Sequence, residues 1–130
     1  SAEFIRLVRN LIVFEKLGRI ELLPGLPEEW LPTEDSGPLL LERTPTRYGD
    51  VTVLLDCASD GQYSLSVEFD PGTVPVQGFL LHWKGAGAKV EIAGGLTAEP
   101  AGNGVWFVPP GARSWRAVLG KRQGKVEVPR

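Results

Sequence analysis

Gln62-Tyr63-Ser64-Leu65-Ser66-Val67-Glu68-Phe69 alternates polar and apolar residues without a break. A period of two belongs to a β-strand with one packed and one wet face, so Tyr63, Leu65, Val67 and Phe69 are expected inward. Just upstream, Val51, Val53, Leu55 and Cys57 share one face of another strand. Asp60-Gly61 between the two is a hairpin signal, because glycine accepts the positive φ that a tight turn needs. Half-buried alternation of this kind belongs to antiparallel sheets, and that decides the fold class.

The same rhythm continues outward. Ile20–Leu22 reads as a short strand leading into a proline-framed turn, Pro24-Gly25-Leu26-Pro27. A strand near Val76–Lys84, a Gly-Ala-Gly turn at 85–87 and a strand at Lys89–Ala93 repeat the hairpin device. Asn103-Gly104 precedes Val105–Val108. Pro109-Pro110-Gly111 breaks the chain before Trp115–Leu119, and Val126–Val128 reads as a final edge strand. Eight or nine short strands with frequent turns predict an all-β fold: an antiparallel two-sheet β-sandwich, jelly-roll-like. One α-helix is expected before it. Phe4, Ile5, Val8, Leu11 and Ile12 fall at helical spacing over residues 1–15, with Gly18 as the stop. Leu7, Val13 and Phe14 spill outside that stripe, so the helix is expected to be buried on two sides.

Composition bounds the function. With 130 residues, 42% hydrophobic and 23% charged, the chain suits one ordinary globular domain. A net charge of -2 supplies no field suited to nucleic acid or to an anionic membrane, so neither is an expected partner. The cations Arg113, Arg116, Lys121, Arg122, Lys125 and Arg130 read as a solvated tail, because no stacking aromatics are interleaved after Trp115. One cysteine, Cys57, cannot form an internal disulfide or a cysteine-built metal site, and does not fix the compartment. No apolar run approaches the roughly 20 residues that span a bilayer. Ser1-Ala2 reads as an expression scar or the start of an excised piece.

The catalytic signals searched for do not converge. Glu28, Glu29, Glu34 and Asp35 form an acidic cluster near Trp30, but Pro27-Glu28-Glu29 reads as the start of a helical turn, where carboxylates favour the exposed amide end. His82 is the single histidine and lies inside a strand between Leu81 and Trp83, with no nucleophile-elbow motif to serve. Gly85-Ala86-Gly87-Ala88-Lys89 lacks the spacing of a phosphate loop. No catalytic residue, metal or cofactor is therefore expected.

The segments Arg9-Asn10-Leu11-Ile12-Val13, Pro24-Gly25-Leu26-Pro27-Glu28-Glu29-Trp30 and Thr44-Pro45-Thr46-Arg47-Tyr48-Gly49-Asp50-Val51 carry a resemblance. Together they resemble the entry into the C-terminal β-domain of glycoside hydrolases built on an alpha/alpha-helical toroid, over residues 4–56. Val105–Gly111 is similar to that domain's closing turn. The resemblance implies that residues 1–17 are the remnant of an upstream helical barrel and residues 18–130 an accessory β-sandwich. The function it implies is non-catalytic: bracing a catalytic barrel through Phe14, Leu26 and Trp30. An isolated domain could then self-associate through the orphaned face. The alternative is a carbohydrate-binding module stacking polysaccharide on tryptophan. Trp83 and Trp115 share parity with apolar neighbours and are expected in the core. Trp106, opposite in parity to Val105 and Phe107, is the one expected at the surface.

Overall fold

The computed structural model describes residues 12–24, 28–33, 35–58, 61–84, 89–92, 97–102 and 104–120. Ten strands form within these: β1 (Val13–Lys16), β2 (Arg19–Leu22), β3 (Leu39–Thr46), β4 (Gly49–Cys57), β5 (Tyr63–Pro71), β6 (Phe79–His82), β7 (Lys89–Ile92), β8 (Glu99–Gly102), β9 (Val105–Val108) and β10 (Ser114–Leu119). One 3-10 turn, Glu28–Trp30, sits between β2 and β3. The strands make two five-stranded sheets, a first in the order β1-β2-β6-β9-β8 and a second in the order β3-β4-β5-β10-β7.

The two sheets face each other across a single core. In the second sheet, Val51, Val53, Leu55, Leu65, Val67, Phe69, Trp115, Ala117 and Leu119 turn inward, as their period-two spacing requires. Ile20, Leu22, Phe79, Leu81 and Val108 answer from the first sheet. Phe79 packs edge-on against both Phe69 and Trp115, with ring centroids 5.3 and 6.0 Å apart, and Tyr63 meets Trp83 at 5.3 Å. Edge-to-face pairs of this kind contribute about 0.5–1.5 kcal/mol beyond the area they bury. These contacts join the layers and establish the sandwich.

Four expectations need correction. The helix expected over residues 1–15 falls mostly outside the described residues; Ile12 is helical, but the expected helix does not run on to residue 15, because Val13–Lys16 is β1, paired with β2 from Val13↔Leu22 to Lys16↔Arg19. The sheets are not wholly antiparallel, because β2 pairs β6 in parallel through Ile20↔Phe79 and Leu22↔Leu81. A parallel pair needs a long crossover, and the β3–β5 excursion into the other sheet supplies it. Nor is the order that of a jelly roll: β3, β4 and β5 form a consecutive meander in one sheet. Finally, β6 and β7 are not a hairpin but lie in different sheets, β7 pairing with β10 through Trp115↔Ile92 and Ala117↔Val90. The strand expected at Val126–Val128 lies outside the described residues.

The segment Thr44–Gly49 that carried part of the resemblance has a physical role. Tyr48 projects from the β3–β4 turn and is buried. Its hydroxyl accepts from the Gly18 amide at 2.7 Å and donates to the Lys16 carbonyl at 3.1 Å. The Arg47 amide donates to Glu15 Oε1 alongside. The hairpin turn of one sheet is thereby fastened to that of the other. Gly49 is required there: its φ is +142°, and a Cβ would lie 2.2 Å from the Asp70 carbonyl oxygen.

Candidate functional site

Pairing register assigns each outward residue, and the two outer faces differ. On the second sheet the outward residues are mostly polar, Asp50, Thr52, Ser64, Ser66, Glu68, Asp70, Arg116 and Glu91 among them, with Leu40, Leu54 and Val118 as apolar members. On the first sheet Phe14 lies opposite Glu21, Leu80 opposite Phe107, and His82 opposite Val105. That face mixes these apolar residues with Lys16, Arg19, Glu21 and His82.

At its centre Glu21 is only 5% exposed although it points away from the core. His82 Nε2 donates to Glu21 Oε1 at 2.8 Å, and Lys16 Nζ lies 3.6 Å from Oε2. A carboxylate so shielded needs these partners, since an unpaired buried charge costs several kcal/mol, on the order of 3–5. The histidine is therefore occupied in holding a carboxylate. Beside this pair, the Arg19 guanidinium lies 5.8 Å above the Phe107 ring. A Cβ at Gly78 would come within 2.5 Å of Phe107 Cε2, so the ring lies close over the bare backbone there.

The residues expected to pack against a partner are placed as follows. Phe14 is on the outer face of β1 and 38% exposed. Trp30 ends the 3-10 turn and is 36% exposed, while its neighbours Leu31 and Pro32 are buried. Leu26 lies outside the described residues. Trp106 does not stand in solvent. Its alternation with Val105 and Phe107 is as expected, but the sense is inverted. Val108 and Trp106 pair with Phe79 and Leu81, whose side chains fill the core, so the tryptophan turns inward and packs half-buried against the core cluster. Trp83 and Trp115 are core, and the Trp83 indole N–H donates to the Gly120 carbonyl at 2.9 Å. Cys57 is half-buried rather than sealed. Of the acidic cluster, Glu29 and Asp35 are exposed and Glu34 lies outside the described residues. Among the described residues, no group of three or more His, Cys, Asp or Glu could hold a metal, and no helix is long and apolar enough to cross a membrane.

One constellation escaped the sequence reading. A groove of about 370 Å3 opens on the outer face of the second sheet, lined by Arg43, Asp50, Thr52, Glu68, Asp70 and Arg113 among others. A β-bulge between Leu41 and Thr44 adjoins it, inserting one extra residue into β3 against β4. Arg43 sits in that bulge at φ 44°, its amide donating to Thr52 Oγ1 at 3.0 Å and its Nη2 lying 3.8 Å from Asp50 Oδ2. Strand parity in Gln62–Phe69 places Glu68 outward, but the bulge that holds Arg43 beside Asp50 has no sequence signature.

No family model, no curated protein and no solved structure matches the chain.

Proposed function

We infer that the chain is a non-catalytic accessory β-sandwich of a glycoside hydrolase, docked through the outer face of its first sheet on a helical catalytic domain that precedes it in the same polypeptide. One observation carries the reading: among Lys16, Arg19, Glu21 and His82, this outer face also carries Phe14, Leu80, Val105 and Phe107, with Phe14 38% exposed. The resemblance of the β2–turn–β3–β4 entry to toroid glycoside hydrolases names the partner class, and the exposed Trp30 in that entry supports it.

Docking removes apolar surface from water at roughly 25 cal/mol per Å2, so a modest interface suffices when the two domains are covalently joined. The test is amide hydrogen exchange on the 130-residue chain alone and on the same chain fused to its native upstream polypeptide. Added protection in β1, β2, β6 and β9, lost on Phe14→Ser with Trp30→Ser, is the expected result. Unchanged protection across the first sheet would discard the bracing reading.

A further inference from the structure

We propose that the outer face of the first sheet is covered within the same chain by residues 1–11, laid across β2, β6 and β9 at the level of Glu21. The starting point is a burial that the strands do not account for. Pairing register turns Glu21 outward, between Phe14 on β1 and Leu80 on β6. All ten described strands belong to the two sheets, so none lies over that face, yet Glu21 is 5% exposed. Its two partners do not close over it: the side chains of Lys16 and His82 are themselves 66% and 29% exposed. Ile12 and Leu23 prolong the β1–β2 pair, the Leu23 amide donating to the Ile12 carbonyl at 2.8 Å, and they are 1% and 4% exposed. On the outer face of the second sheet, by contrast, Leu40 and Val118 are 53% and 41% exposed. Leu80, Val105 and Phe107 are all half-buried, the pattern of a face that already has a cover.

Three observations name the cover. Ile12 is helical and β1 begins at the next residue, so residues 1–11 reach the molecule at the β1 edge of this face. Their length fits the span. From β1 to β9 the sheet crosses three strand spacings, about 14 Å, and eleven residues at helical rise cover about 16 Å. Their pattern fits the surface. At helical spacing Phe4, Ile5, Val8 and Leu11 share one side, suited to Leu80, Val105 and Phe107, while Arg6, Arg9 and Asn10 fall on the other. The inference rests on the docking reading and deepens it: residues 1–11 are the end of the helical domain that meets the sheet.

The experiment uses the 130-residue chain alone, with 13C-labelled methyl and aromatic groups. The expected result is nuclear Overhauser contacts from the Ile5 and Val8 methyls to Leu80, Val105 and Phe107. A soluble nitroxide should broaden the Leu80 and Val105 methyl signals less than those of Leu40 and Val118. Ile5→Asp with Val8→Asp should abolish that protection in a chain whose second sheet keeps its shifts. Arg6→Asp with Arg9→Asp, on the other side of the stripe, should leave the protection intact. The proposal is overturned by absence of the contacts, by the same contacts made from Leu31 instead, or by contacts that a mixed labelled and unlabelled sample assigns to a second copy. Equal broadening on both outer faces of the parent chain would overturn it as well. The docking reading is judged on the chain fused to its upstream polypeptide, so contacts present here without added protection there would discard docking and leave the cover standing.

Discussion

Replacing Tyr48 by phenylalanine removes one oxygen and leaves the ring that fills its buried site. The apolar transfer energy of the ring is kept, so the change isolates what the hydroxyl does. Two hydrogen bonds are lost, one of 2.7 Å from the Gly18 amide and one of 3.1 Å to the Lys16 carbonyl. Both backbone groups belong to the β1–β2 turn, and the phenylalanine ring offers them nothing. A fully buried polar group left without a partner costs about 1–3 kcal/mol. These bonds are part-buried, so water partly replaces the hydroxyl and the low end applies to each, giving about 2 kcal/mol in all. For a chain of this size 1 kcal/mol moves the melting temperature by roughly 3–5 °C, so a fall of about 6–10 °C is expected. Differential scanning calorimetry measures it, with urea unfolding as a second probe in which the midpoint falls and the slope does not. Tyr48→Leu should cost more, because it removes the ring as well. A melting temperature within about 1 °C of the parent for Tyr48→Phe would show that the hydroxyl does not fasten the two hairpins, and the account of the Thr44–Gly49 segment would fall with it.

Two further changes probe the buried polar groups. His82→Leu should destabilise by about 2–4 kcal/mol in urea unfolding, since it strips Glu21 of its nearest partner, whereas Glu21→Leu with His82→Leu together should recover most of that loss. A double variant as unstable as His82→Leu alone would refute the pairing. Trp83→Phe and Trp115→Phe remove the same atoms from similarly buried rings, yet only Trp83 has a bonded indole N–H, while that of Trp115 has no partner among the described residues. The Trp83 change should therefore cost about 1–2 kcal/mol more, read as the difference in urea midpoints at constant slope, and equal costs would show that the Gly120 bond contributes nothing.

How far the sequence could be read depended on how long each element kept one period. β4, β5 and β10 hold their alternation over six to nine residues, enough to show both strand and inward face. β1 lasts four residues and directly follows an apolar run at helical spacing, so nothing in Val13-Phe14-Glu15-Lys16 marks the change of period. β8 is Glu-Pro-Ala-Gly, fully exposed and without β-forming side chains; it exists because β9 offers it an edge to pair with. At Trp106 parity was readable and direction was not. In Val105-Trp106-Phe107-Val108 every residue is apolar, and only the register with Phe79 and Leu81 decides which pair faces the core. Sheet membership failed for a similar reason: a Gly-rich turn predicts a reversal, but whether the next strand joins its neighbour or crosses to the other layer depends on non-local pairing. Of the charged groove only Glu68 was legible, by parity, with its arginine hidden behind an inserted residue.

The two outer faces differ in what burial against another surface would gain at each. On the first sheet, Phe107 lies close over Gly78 and beneath Arg19, so an aromatic surface is held in place without deep pockets. Such a surface cannot select a small ligand, which needs concavity and convergent polar groups. It gains by burial against another extended surface, where complementarity of shape is the main requirement. The second sheet offers the reverse: a concave trough, opposed charges and little apolar area to bury at its polar end. Covering it with a helical domain would desolvate Glu68, Asp70 and Arg113 with no partner guaranteed, at a cost that docking could not recover.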